Sequence, residues 1–184
     1  MVSLNAAIIM IKTLASHIKE YKRYAILAPI LVSCEVLLEV LIPFISSRII
    51  DDGISQGNME AVAFHGSIMV VFALLSLAFG ASAGVMSSKA SAGFAKNLRA
   101  AVFEQIQKFS FSNIDKFSPS SLITRMTTDI TNVQNAFQMI IRVAVRSPFM
   151  LICSMAMTFM ISPGLSSIFL IAVIGLAILL SLII

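Results

Sequence analysis

Four apolar runs of roughly the ~20 residues needed to cross ~30 Å of hydrocarbon recur along this chain, and they constrain its fold more than any other feature. They lie at about 25–50, 68–86, 137–161 and 165–184. No backbone group in hydrocarbon finds water, so each run is expected to be a helix. Composition agrees: 58% of the residues are hydrophobic and 12% charged, where soluble domains carry roughly 25% charged residues. The expected fold is an all-α membrane protein with a long cytoplasmic helical hairpin at 87–136.

The first run contains Pro29, Glu35, Glu39 and Pro43 and is expected to end at Asp51-Asp52-Gly53. Ser162-Pro163-Gly164 reads as a tight turn between the third and fourth runs. The fourth run reaches Ile184 with no polar flank, so the polypeptide is expected to continue. Lys12, Lys19, Lys22 and Arg23 precede the first run, and Lys89, Lys96, Arg99, Lys108, Lys116 and Arg125 follow the second. Positive residues concentrate in cytoplasmic loops, so both regions, with the N-terminus, are expected to face the cytoplasm. The net charge of +4 is accounted for by this flanking. No soluble face gathers it, and a nucleic-acid partner is set aside. Ile8, Ile11, Leu14, Ala15 and Ile18 recur at helical spacing, which predicts an amphipathic elbow helix over 1–23, ahead of a membrane domain over 24–184.

Between the second and third runs the chain is too polar for hydrocarbon yet keeps helical periodicity. Phe94, Leu98, Val102, Ile106 and Phe109 form one stripe, and Leu122, Met126, Ile130, Val133 and Phe137 another. Carried on from Ser87 to Ser110, the second helix would extend roughly 35 Å past the membrane. A stalk of that reach suits a soluble partner at its tip. There, Ser112-Asn113-Ile114-Asp115 matches a capping box, and Ser118-Pro119 reads as an N-cap followed by proline at the first helical position.

Among charged residues inside the runs, Glu35 and Glu39 are one turn apart, as are Arg142 and Arg146. A charge at mid-membrane costs about 2.5–3.5 kcal/mol, so these four should face protein or a cavity. One reading is a cavity that draws cationic substrates; the other is a structural pairing of the glutamates with Arg142 or Arg146, or carboxyls held neutral by the low dielectric. Met139, Met150, Met155, Met157 and Met160 give the third run adaptable side chains. Gly80 and Gly84 form a small-xxx-small pair suited to close helix approach. Cys34 and Cys153 lie in apolar runs, and neither they nor His17 and His65 have metal-ligand spacing.

Phe109-Ser-Phe-Ser-Asn-Ile-Asp-Lys-Phe117, then Ser-Leu-Ile-Thr-Arg125-Met-Thr-Thr-Asp129, Arg146-Ser-Pro148 and Ile50-Asp-Asp-Gly-Ile54 resemble the transmembrane domain of ABC exporters, in particular bacterial multidrug half-transporters. The resemblance runs from about Met10 to the end and covers the N-terminal portion of such a domain, four of an expected six spans. It implies that Asn113, Ile114, Asp115, Lys116 and Phe117 form a coupling helix seated on nucleotide-binding domains, and that Arg125 and Asp129 enter intracellular ion pairs. Further implied partners are a second half-transporter, as homodimer or heterodimer, and a hydrophobic or cationic small-molecule substrate. No Gly-x-x-x-x-Gly-Lys-Ser/Thr occurs, so ATP and Mg are expected on a separate nucleotide-binding domain, and no catalytic residue is assigned here. The alternatives are a proton-coupled multidrug antiporter, which the roughly 50-residue hairpin disfavours, and a noncatalytic membrane scaffold.

Overall fold

The computed structural model describes residues 13–108, 119–161 and 163–183, and every regular element among them is helical. In chain order these are α1 (Lys19–Ile54), α2 (Met59–Gln107), α3 (Ser120–Ile161) and α4 (Pro163–Ile183). The first three are each long and apolar enough to cross a membrane. The fourth expected run coincides with α4, whose described apolar stretch is Ser167–Leu176.

Helix ends differ from the edges of the apolar runs. In α1 the α-helical segment Lys22–Arg48 continues through Pro29 and Pro43. Asp51-Asp52-Gly53, expected to end the span, instead belongs to a π-helical turn, Ile49–Ile54. Ser55 N–H donates to the Ile50 carbonyl and Asn58 N–H to the Gly53 carbonyl, both at 2.9 Å and both across five residues. A Cβ at Gly53 would lie 2.5 Å from Val62 Cγ2, so glycine lets this turn lie against the first turns of α2. Gly57, at φ +65, then reverses the chain.

α2 starts at Met59, ahead of the apolar run at Ile68, because Asn58 caps it. Its Oδ1 accepts from the amides of Glu60 at 3.1 Å and Ala61 at 3.2 Å. The helix then runs 49 residues without interruption, about 74 Å at 1.5 Å per residue. Passing through Ser87 to Gln107, it realises the stalk expected from the sequence. At the return, α-helix resumes at Pro119, the position expected for a first helical proline. α3 carries π-helical turns at Arg125–Asp129 and Ile140–Ala144.

The chain divides into two compact units, Met1–Leu31 with Ala81–Ala144, and Val32–Gly80 with Val145–Ile184. In the first, small residues on α2 allow close approach: Ser87, Ala90, Ser91 and Ala95 are all fully buried. Ala28, Ala90 and Ile141 form a core with Tyr24, Ala25, Met86 and Phe137 packed against it. Phe94, 2% exposed, meets Phe137 with ring centroids 4.6 Å apart. The Tyr21 ring fills the space a side chain at Gly93 would need.

The N-terminal arm is not one helix running through Arg23. Lys19 adopts φ +41, a left-handed conformation that breaks the helix ahead of the 3-10 turn Lys19–Tyr21. Asn97 Nδ2 donates to the His17 carbonyl at 3.0 Å and fixes that corner to the stalk. Ile8 and Ile11, on the expected amphipathic face, lie outside the described residues.

The two stripes of the hairpin meet at one end and part at the other. Phe94, Ile130 and Phe137 pack inward, whereas Leu98, Val102, Ile106 and Leu122 line a cavity of about 380 Å³ shared with His17 and Arg125. In the second unit, Val145–Ile161 packs against Pro163–Ile183.

Candidate functional site

The second unit carries an acid–base cluster inside its membrane helices. Helical spacing places Glu35 and Glu39 on one face of α1. Arg146, near the start of the α-helical segment Val145–Ile161, reaches both. Its Nη1 donates to Glu35 Oε1 at 2.7 Å, and its Nη2 donates to Glu39 Oε1 at 2.8 Å and Oε2 at 2.7 Å. The planar guanidinium fork suits this bridging because two of its nitrogens serve two carboxylates without bending.

The two acids are not equivalent. The Glu35 side chain is 11% exposed and that of Glu39 29%. Glu35 Oε2 is buried and accepts no hydrogen bond among the described residues. Room for Glu35 comes from α2, where a Cβ at Gly80 would stand 2.7 Å from Glu35 Oε1. The small residue expected to bring helices together therefore admits a carboxylate. Gly84, its expected companion, has open space where a Cβ would sit, so the close approach is made at Gly80 alone.

The other candidates from the sequence lie elsewhere. Arg142 sits in the π-helical turn Ile140–Ala144 and lines a recess of about 350 Å³ in the first unit with Asn135, Gln138 and Met139. Arg125 and Asp129 bound the other π-helical turn of α3; Arg125 lines the 380 Å³ cavity, and Asp129 makes no ion pair among the described residues. The ion pair found in that region joins Lys108 Nζ to Glu104 Oε1 at 2.8 Å. The Lys108 ammonium, donating to it, holds the Glu104 carboxyl below its usual range. Asn113, Ile114, Asp115, Lys116 and Phe117 lie outside the described residues.

Arg48, which the sequence reasoning passed over, helps shape this region. Arg48 Nη1 lies 3.5 Å from Asp52 Oδ2, and its guanidinium sits 5.5 Å from the centre of the Phe44 ring. Both partners are four residues away, a spacing legible in the sequence. Gly80 carried a packing signal, and its facing of Glu35 could be found only in three dimensions.

A sequence profile of the ABC transporter transmembrane region matches residues 25–184. This chain belongs to that family. Among its relatives is an uncharacterized ABC transporter ATP-binding protein of Bacillus subtilis (strain 168), 37% identical over 136 residues, 74% of this chain and 24% of the relative. An uncharacterized ABC transporter ATP-binding protein of Mycobacterium tuberculosis (strain CDC 1551 / Oshkosh) is 29% identical over 141 residues, 77% of this chain and 24% of that protein. The ATP-dependent lipid A-core flippase of Pseudoalteromonas translucida (strain TAC 125) is 25% identical over 162 residues, 88% of this chain and 28% of the flippase. This ABC transporter transmembrane region thus spans about a quarter of the length of the curated relatives it matches. It is a membrane protein, and these relatives are bacterial.

Proposed function

We infer that this transmembrane region is the front part of an ATP-driven exporter that moves amphipathic or drug-like molecules across a bacterial cell membrane. It works with nucleotide-binding domains outside this chain and with a second half-transporter. The observation that carries this reading is the length of α2. About 74 Å of continuous helix exceeds the ~30 Å of hydrocarbon by more than a factor of two. A helix of that excess supports a reach to a soluble motor beyond the hydrocarbon. The basic residues at both cytoplasmic-side segments support an N-terminus inside the cell.

The 109–118 stretch joins the two arms of the hairpin, and Asn113, Ile114, Asp115, Lys116 and Phe117 within it form the contact with the nucleotide-binding domain. ATP and Mg are held on that domain. Arg125 and Asp129 bound the first π-helical turn of the return arm, where intracellular ion pairing would hold the hairpin. Glu39 and Arg146 serve the translocation pathway, Glu35 holds Arg146 from behind, and Arg142 lines a recess of its own in the first unit. An amphipathic cargo is consistent with the printed name of the flippase relative.

The test is transport by the full-length protein in inside-out vesicles. ATP should drive accumulation of an amphipathic dye, and Asp115→Ala with Phe117→Ala should abolish accumulation while basal ATP hydrolysis persists. Accumulation that ignores ATP and follows a proton gradient would replace this reading with an antiporter.

A further inference from the structure

The cavity of about 380 Å³ lies within the first unit, where the two stripes of the hairpin part. Its volume falls in the range of about 300–1,000 Å³ typical of ligand sites. Contacts nearer the membrane, Phe94 with Phe137 and Arg99 Nη2 with Thr131 Oγ1 at 3.3 Å, set the antiparallel register of α2 against α3. Carried on, that register brings Arg125 level with Gln105, and both line the cavity. His17 lines it at the other end, where Asn97 holds the His17 carbonyl. Asn97 and Gln105 are eight residues apart on one helix, about 12 Å. Leu98, Ala101 and Val102 form the wall between, and Ile106 and Leu122 line the tip-side end. The cavity is an apolar slot with polar groups at two levels.

Those levels differ in what they can bind. Arg125 has five N–H donors in a planar fork, enough to take up an anion beside another partner. Gln105 adds an amide donor at the same level. At the His17 end, Nδ1 lies 2.9 Å from the Thr13 carbonyl. A carbonyl only accepts, so Nδ1 carries the hydrogen and Nε2 of the neutral ring keeps a lone pair, which is a poor neighbour for an anion. Glu104, also on the wall, is already paired with Lys108 at 2.8 Å, and both side chains are largely exposed.

We propose that this slot binds a medium-chain aliphatic carboxylate, its head on Arg125 and Gln105 and its tail running along Leu98, Ala101 and Val102 toward His17. The inference concerns binding alone and does not depend on the exporter reading. A carboxylate meets the guanidinium through charge-assisted hydrogen bonds. The 12 Å between the two levels accepts a chain of about ten carbons. A two-chain phospholipid exceeds the slot, which points to a free acid as the source. The described apolar lining holds no aromatic ring, so a flexible alkyl tail suits it better than a flat one that needs a stacking face. The tail restores the apolar burial that the stripes lose where they part, and it ties the elbow corner, the stalk and the return arm together.

The experiment uses the purified full-length transporter in lipid nanodiscs and radiolabelled decanoate, with binding to empty nanodiscs subtracted. Decanoate should bind saturably, at least tenfold more tightly than decanol or decyltrimethylammonium. From hexanoate to decanoate each methylene should tighten binding about fourfold, the equivalent of about 0.8 kcal/mol, and dodecanoate should bind no tighter than decanoate. Arg125→Gln should weaken decanoate binding at least tenfold, and Arg125→Lys should recover part of it. Ala101→Phe, which fills the slot and leaves every charge in place, should weaken it at least tenfold. In His17→Ala the chain-length limit should move to dodecanoate. Decanoate should also slow amide exchange over 98–106 in wild type and leave it unchanged in Ala101→Phe. The absence of saturable binding to wild type, or wild-type binding by either Arg125→Gln or Ala101→Phe, overturns the assignment. Equal binding of decanoate and decanol overturns the placement of the head, and an unmoved limit in His17→Ala overturns the direction of the tail.

Discussion

Gly80→Ala should disrupt the acid–base cluster from the far side. The new methyl carbon would stand 2.7 Å from Glu35 Oε1 and 2.9 Å from its Cδ, well inside contact distance. The Glu35 side chain is flexible enough to move, but it moves at the expense of the Arg146 hydrogen bond. A hydrogen bond to a charged group contributes about 1.5–3 kcal/mol, and the better helix propensity of alanine offsets about 0.5–1 kcal/mol of its loss. The net cost is about 1–2 kcal/mol. Gly84→Ala is the control: nothing lies within 4 Å of its Cβ position, so it should gain about 0.5–1 kcal/mol. The two variants should therefore differ by about 2 kcal/mol, read as a lower unfolding midpoint for Gly80→Ala than for Gly84→Ala. Thermal unfolding of the full-length protein in detergent, followed by labelling of the half-buried thiols Cys34 and Cys153, reads this difference. In a Glu35→Ala background the Gly80→Ala penalty should vanish. Equal midpoints for Gly80→Ala and Gly84→Ala, or an undiminished penalty without Glu35, would refute the reasoning.

Asn58→Ala should cost about 1 kcal/mol through the lost cap and speed hydrogen exchange at the amides of Glu60 and Ala61, while Asn58→Asp should not. Phe94→Ala should cost about 3–5 kcal/mol, the range for truncating a buried aromatic, measured as a fall in unfolding midpoint. Gly93→Ala should destabilise by about 1–3 kcal/mol through overpacking against Tyr21, and Tyr21→Ala in the same protein should remove that overpacking. The Glu104 carboxyl is depressed by Lys108, so its contribution is present above the unfolded value near 4.5 and is lost as pH falls through the folded value. Amide exchange at the Gln107 end of α2 should accelerate on that acidification, and Lys108→Gln should remove the pH step.

Periodicity and run length made the helices and the stalk legible, because lipid leaves helix as the backbone's solution and 1.5 Å per residue converts length directly into reach. Helix ends were harder to read. Apolar runs mark where hydrocarbon begins, whereas α2 begins where Asn58 supplies an acceptor and α1 ends where a π-helical turn closes. The choice between Arg142 and Arg146 was likewise open, since two arginines four apart look alike in sequence. The different roles of Gly80 and Gly84 could be told apart only with α1 placed beside Gly80.

The partners in the acid–base cluster are 107 and 111 residues apart in the chain. A ribosome adding about 5–20 residues per second makes Glu35 and Glu39 roughly 5–20 s before it makes Arg146. Throughout that interval the first helix carries two carboxylates with no guanidinium to meet them. The pairing of the two acids is therefore a late event, set by the arrival of α3. A substitution that slows or misplaces α3 would thus appear first as a biogenesis defect of α1, with the protein lost to quality control before its transport can be assayed.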